Sequence, residues 1–157
     1  MLGDRISVHG CGVVGALTSR LLARMGHEVR VVDPVPRRLE AAGAPQSFAG
    51  EADVSIEVSG SPQGLAEAVE GTRRGGKVLL GSLYAGEVRL PLGLRFHRAE
   101  ILLQSSQVSR VAGRLQPRWS KSRRARLTWE MLREIKPKAG HEEEERSKFE
   151  VSGGVSC

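Results

Sequence analysis

The run Ile6-Ser7-Val8-His9-Gly10-Cys11-Gly12-Val13-Val14-Gly15 limits what this chain can fold into more than any other feature. It is followed by an apolar-periodic segment and then by Val29-Arg30-Val31-Val32-Asp33. A G-x-G-x-x-G pattern alone says little, because turns use glycine freely. Here four requirements coincide. A β-branched run precedes the glycines, and a helical pattern follows, with Leu17, Leu21, Leu22 and Met25 spaced as one buried stripe. Gly26 stands where that helix should stop. Asp33 falls about twenty residues past the glycines, as a dinucleotide-binding βαβ unit requires.

The spacing has a chemical reason. Gly10 lets the chain leave the first strand in a tight turn, Gly12 has no Cβ to obstruct a pyrophosphate, and Gly15 lets the helix pack closely on the strand. The helix start around Val13 and Val14 offers unpaired N–H groups and a partial positive charge to phosphates. Asp33 can accept hydrogen bonds from both hydroxyls of an adenosine ribose and would repel a 2′-phosphate. The expected cofactor is therefore NAD(H) rather than NADP.

Further along, the pattern predicts alternating strands and helices. Strands are expected at Arg5–His9 and Glu28–Val32, with the first helix over Val13–Met25. Pro34 and Pro36 open a short helix through Arg37–Ala42, which Gly43 closes. Gln46–Phe48 reads as a very short third strand and Asp53–Val58, apolar at 54, 56 and 58, as the fourth. Pro62 opens a helix with Leu65, Ala66, Ala68 and Val69 periodic. Gly75-Gly76 punctuates before a fifth strand, Lys77–Leu80, and Glu100–Gln104 reads as a sixth. A last helix, Ser122–Ile135, carries Leu127, Met131, Leu132 and Ile135 on one side. The expectation is an α/β fold, a doubly wound and mostly parallel six-stranded sheet. It assigns residues 1–137 to a dinucleotide-binding domain and 138–157, which lack amphipathic period, to a poorly ordered tail.

Composition narrows the class. The 157 residues are 39% hydrophobic, enough for one core of ordinary size. No apolar run reaches the roughly 20 residues a membrane span needs, and the first strand begins too early for a leader, so the expected location is cytoplasmic. Cys11 and Cys157 have no metal-ligand spacing. The net charge of +6 is local, since residues 89–138 hold thirteen Lys/Arg against three Glu. No nucleic-acid-binding motif accompanies that surplus, so a solvated or acid-pairing surface is favoured over nucleic acid, although Trp119 amid the arginines could stack on a base.

Several segments together resemble the nucleotide-binding half of the medium-chain dehydrogenases, the zinc-type alcohol dehydrogenase superfamily. They are Gly3-Asp4-Arg5, Gly26-His27-Glu28-Val29, Ala52-Asp53-Val54-Ser55-Ile56-Glu57-Val58-Ser59-Gly60 and Gly75-Gly76-Lys77-Val78 to Gly81. Phe96-His97-Arg98, Ser105-Ser106-Gln107-Val108-Ser109 and Arg118-Trp119 are similar to one subgroup of unassigned substrate. The resemblance implies a pyrophosphate loop at Gly10, Gly12, Val13, Val14 and Gly15, with Asp33 as ribose acceptor and Arg38 as the basic group beside that ribose. It implies that Ser59 and Gly60 lie near the adenosine, and Gly81, Ser82 and Leu83 near the nicotinamide.

In that family a preceding domain carries the catalytic zinc ligands. The expectation is thus an NAD(H)-binding fragment, or one subunit of a split oxidoreductase that relies on a separately encoded catalytic domain. By itself it would be inactive and bind no metal. None of His9, His27, His97 and His141 is assigned a catalytic role, His97 being the best outsider. The sixth strand is a candidate homodimer edge. A second reading, from a different class, is a non-catalytic dinucleotide-sensing or interaction module with a basic surface.

Overall fold

A computed structural model describes residues 3–90, 92–107, 111 and 113–135. The tail expected at 138–157 lies outside them. Five strands, β1 (Arg5–His9), β2 (Glu28–Val32), β3 (Ala52–Glu57), β4 (Thr72–Leu80) and β5 (Leu102–Ser105), form a parallel sheet in the order β2-β1-β3-β4-β5. Four α-helices accompany them: α1 (Val13–Arg24), α2 (Pro36–Ala42), α3 (Pro62–Glu70) and α4 (Lys121–Ile135). A single π turn spans Leu92–Phe96.

The sheet has five strands, not the six expected. Gln46–Phe48 contributes one antiparallel bridge, Arg30 to Gln46, in place of a strand beyond β2. The Ser47 hydroxyl, which accepts from Val29 N at 2.6 Å, and the Gln46 side chain, which donates to Val31 O at 2.7 Å, serve that edge instead. Pro45 has no N–H to extend a ladder there, and only nineteen residues separate Asp33 from Asp53.

β1 is the centre of the sheet, and register explains its two faces. Ile6 lies beside Val29 and Val54, and Val8 beside Val31 and Ile56. This row forms a core with Cys11, Ala42, Leu22 and Leu39 beneath α1 and α2. The opposite face lies beneath α3, whose Leu65, Ala68 and Val69 pack with Val78, Ala99 and Ile101. Ser7, His9, Ser55 and Glu57 point to that second face and are also buried. The apolar alternation of β3 therefore does not mark a half-wet strand, because helices cover both faces of a doubly wound sheet. Buried polar groups need partners. Ser55 bonds Thr72 through their hydroxyls at 2.7 Å, Thr72 donates onward to Ala68 O at 2.6 Å, and Ser7 bonds His9 Nε2 at 3.0 Å.

Two further expectations are corrected. The buried positions of α1 are Gly15 and Ser19, with Ala16 and Leu22 packed alongside, while Met25 is more than half exposed. The helix approaches the sheet through its smallest residues, and of the expected stripe Leu22 packs against that core while Leu17 and Leu21 are partly buried. Gly75-Gly76 does not precede a strand but lies within β4, as a bulge opposite Asp53. A Cβ on Gly76 would stand 2.8 Å from Arg73 O and 2.9 Å from Asp53 O, so only glycine fits. Arg73 bonds the Asp53 carboxylate there and, with Arg5 N, holds its pKa below the usual carboxylate range.

The last helix, α4, begins one residue earlier than expected and buries none of its side chains fully. It meets α1, with Arg24 and Glu134 paired at 3.0 Å. No helix among the described residues is long and apolar enough to cross a membrane.

Candidate functional site

The chain runs from β1 to β2 on one side and crosses back to β3 on the other, so connections diverge above the carboxyl ends of β1 and β3. Open α/β sheets bind ligands at such a switch point. A cleft of about 370 Å³ lies there, walled on one side by Gly10, Gly12, Asp33, Pro34 and Arg38 and on the other by Val58, Ser59 and the start of α3. His9 and Val32 also line it.

The three glycines of the loop have three different surroundings. A Cβ on Gly10, whose φ is +102°, would come within 2.8 Å of the Ser59 backbone, so this residue lets the loops after β1 and β3 touch. A Cβ on Gly15 would fall 1.8 Å from Gly10 O, an impossible overlap, so it sets how closely α1 sits on its own loop. Around Gly12 there is open space. The first helical bond of α1 runs from Ala16 N to Gly12 O, and no side chain caps this end. The preceding N–H groups, at Val13, Val14 and Gly15, have no intrahelical acceptor. Val13 and Val14 are themselves exposed. A helix terminus of this kind is an anion site in waiting.

Asp33 closes the loop from below. Its Oδ2 accepts from Cys11 N at 2.7 Å and its Oδ1 from Val35 N at 2.9 Å, while Arg38 Nη1 stands 3.9 Å away. Its side chain is only 3% exposed, yet it lines the cleft, and a carboxylate retains further lone pairs beyond these two bonds. Cys11, within the glycine loop, is fully buried. Its side chain belongs to the core, and burial, followed by the neighbouring Asp33 charge, pushes its thiol pKa up.

Of the remaining expected positions, Ser59 lines the cleft, whereas Gly60, Gly81, Ser82 and Leu83 lie on adjoining loops outside its wall. Gly60 N donates to Ser82 Oγ at 2.8 Å, and Gly81 N donates to Glu57 O at 2.8 Å. Leu83 is almost fully exposed.

Two buried ionisable residues beside the cleft were not among the expected site residues. Glu57 ends β3 with no exposed surface. An unpartnered buried carboxylate costs several kcal/mol, and this one is surrounded by donors. Ser59 N donates at 2.7 Å, Gly60 N at 3.2 Å, and the hydroxyls of Ser59 and Tyr84 donate as well. Burial and the Glu57 contact push the Tyr84 phenol well above its ordinary pKa, so it stays a donor. The signal in the sequence was an acid at the C-terminal end of a strand whose other acid, Asp53, stands near its start. His9 is 3% exposed, and burial lowers its pKa to about 4, with Glu67 opposing. Its Nδ1 has no hydrogen-bond partner. His97 is exposed and lies outside the cleft wall.

Among the described residues no group of three or more His, Cys, Asp or Glu could hold a metal ion. Within the basic segment, Trp119 is capped by the guanidinium of Arg123 at 4.8 Å, which occupies a ring face that a base would need.

No protein-family model matches the chain. Among curated proteins it is 29% identical over 154 aligned residues to D-guloside 3-dehydrogenase of Escherichia coli K12, covering 83% of this chain and 43% of that protein. It is also 37% identical over 95 residues to D-amino acid dehydrogenase of Dechloromonas aromatica, covering 59% of this chain and 22% of that protein. The chain thus spans less than half the length of the curated relatives it matches. Among solved structures, L-idonate 5-dehydrogenase of E. coli K-12 superposes with a TM-score of 0.57 at 28% identity, over 66% of this chain and 35% of that one. A short chain alcohol dehydrogenase from E. coli CFT073, solved with NADH, gives 0.60 at 20% identity over 69% and 37%. A zinc-binding dehydrogenase from Sinorhizobium meliloti, bound to NADP, gives 0.52 at 18% over 66% and 37%. The structural neighbours are zinc-type medium-chain alcohol dehydrogenases, and this chain matches their Rossmann part.

Proposed function

We propose, from the Rossmann fold this chain shares with zinc-type medium-chain dehydrogenases, that residues 1–137 are the NAD(H)-binding domain of an alcohol dehydrogenase-like oxidoreductase. The observation that carries the reading is the pairing of Asp33 with an open Gly12 across one cleft. A pyrophosphate would lie over Gly12, where a Cβ would meet only open space, beside the N–H groups of Val13, Val14 and Gly15. The adenosine ribose then reaches the remaining lone pairs of Asp33, with Arg38 beside it. Ser59 stands in the far wall of that half with Gly60 on the loop behind it, and Gly81, Ser82 and Leu83, on the loop beyond the wall, would receive the nicotinamide half.

When bound, the cofactor supplies the hydride chemistry. The protein's share is to hold it in one orientation and to keep water from the cleft. In dehydrogenases of this type a metal polarises the substrate oxygen. On this reading its ligands come from a catalytic domain outside the described residues, in the same or a separate chain, and the substrate is chosen there. The chain would work in the cytoplasm, where a thiol such as Cys11 stays reduced.

NAD is favoured over NADP because a 2′-phosphate beside Asp33 would meet a carboxylate whose bonds already anchor the loop. Titration of the purified chain with NADH and NADPH, followed by calorimetry or nicotinamide fluorescence, tests the reading. Tighter binding of NADH is the expected result. Equal or reversed affinities would overturn the NAD assignment, and no binding of either would overturn the function.

A further inference from the structure

Glu57 joins two loops that belong to different halves of the cleft. It accepts from Ser59 N and Gly60 N in the loop after β3, and from the Tyr84 hydroxyl in the segment after β4. A second link runs parallel to the first, from Gly60 N to Ser82 Oγ at 2.8 Å. The same segment is also tied at its start, where Gly81 N donates to Glu57 O at 2.8 Å, while Leu83 is 94% exposed and residues 81–84 belong to no helix or strand. Tyr84 is half-buried, and its ring packs against the core beneath α3.

A dinucleotide laid across a switch point extends from one mononucleotide half of the sheet to the other. With the adenosine at Asp33 and the pyrophosphate at Gly12, its second nucleoside passes over the ends of β3 and β4. We propose that Tyr84 is a positioning residue, which acts through Glu57 to hold the loop after β4 against the loop after β3 and so fixes the nicotinamide half of the cofactor. This rests on the NAD(H) reading above. Tyr84 need not touch the cofactor. Burial keeps its phenol protonated, so it donates to Glu57 throughout the neutral range.

The arrangement makes the two ends of the ligand separable. The Asp33 and Gly12 contacts involve neither Tyr84 nor Glu57, and without the Tyr84 hydroxyl Glu57 still accepts from Ser59 N and Gly60 N, so the adenosine side keeps its contacts when Tyr84 alone is changed. Tyr84→Phe removes one hydroxyl and keeps the ring, and Ser82→Ala removes the parallel link without disturbing a buried group.

The test compares ADP-ribose, which lacks the nicotinamide, with NADH on the wild-type chain, Tyr84→Phe and Ser82→Ala, by calorimetry and by emission of the reduced nicotinamide. Both variants should bind ADP-ribose within about twofold of wild type. For NADH, Tyr84→Phe should weaken binding about tenfold, the size of one lost hydrogen bond to a charged group. Emission of bound NADH should shift toward that of the free cofactor. Equal weakening of both ligands would overturn the proposal, since a loosened fold gives that result, and so would unchanged NADH affinity and emission in Tyr84→Phe. Failure of the wild-type chain to bind either ligand would instead count against the NAD(H) reading.

Discussion

The carboxylate of Asp33 accepts a hydrogen bond from the backbone N–H of Cys11 at 2.7 Å, which ties the end of β2 to the middle of the glycine loop. One residue thus serves as proposed ribose acceptor and as loop brace. The bond spans twenty-two positions in sequence and joins two strands that already pair along their length, so it fixes the loop at the edge of the cleft rather than building the sheet.

This double role shapes the outcome of substitution. Asp33→Ala should weaken NADH binding by about 1.5–3 kcal/mol, the range for hydrogen bonds to a charged group. It should also lower stability by about 1–3 kcal/mol, because the Cys11 and Val35 amides lose their acceptor. Asp33→Asn retains one acceptor oxygen and should keep most of the stability. Urea denaturation with NADH titration checks both. An Asp33→Ala protein with wild-type affinity would remove Asp33 from the binding site.

Gly12 and Gly15 stand three residues apart and should fail in opposite ways. Gly12→Val places its side chain in open space, where the fold tolerates it and a pyrophosphate does not. The expected result is a wild-type circular dichroism spectrum and NADH binding reduced beyond detection. Gly15→Val drives Cβ into Gly10 O and should destabilise the domain by about 3 kcal/mol or more, the upper range of overpacking. Similar denaturation midpoints for the two variants would contradict this division.

His9 makes stability depend on pH in a definite sense. Its folded pKa of about 4 lies below its ordinary value, so between the two the unfolded chain takes up the proton first. Stability from this group is complete above pH 6.5 and falls as pH drops toward 4. The loss is about 3 kcal/mol for a shift of this size. Urea titrations at pH 7.0, 5.5 and 4.5 should show the decline, and His9→Asn should flatten it. A His9→Asn profile parallel to wild type would assign the pH dependence to other groups.

The chain on its own should retain no stoichiometric zinc after purification and show no oxidation of alcohols with NAD. A catalytic zinc needs three protein ligands in one site. Elemental analysis showing one tightly held zinc per chain, or measurable turnover, would reveal a site that the described residues do not contain.

Much of this architecture was legible in the sequence because its signals were local. The glycines, Asp33, the proline openings of α2 and α3 and the αL cap at Gly43 each declare themselves within a few residues. What could not be read depends on contacts between segments. Glu57 looks like an ordinary acid until β1, β4 and α3 enclose it. His9 looks like a strand end until α3 covers it. The expected third strand had β-compatible residues at Gln46–Phe48, but the short connection and Pro45 left it one bridge. Gly75-Gly76 has the composition of a turn, and only its pairing partner at Asp53 shows that it is a bulge. The resemblance to dehydrogenases pointed to the right fold, while the loops at 81–83 were assigned by analogy and stand beside the cleft rather than in its wall.

The missing outer strand has a dynamic consequence. β1 is flanked along its length by two strands, whereas beyond β2 lies only the Arg30–Gln46 bridge and its side-chain bonds. Amide protons of β1 should therefore be the slowest in the sheet to exchange with solvent and those of β2 among the first. The two walls of the cleft then differ in permanence. The glycine loop hangs from the most protected strand and Asp33 from a frayable one, so occupancy of the cleft should be felt most strongly as slowed exchange along β2.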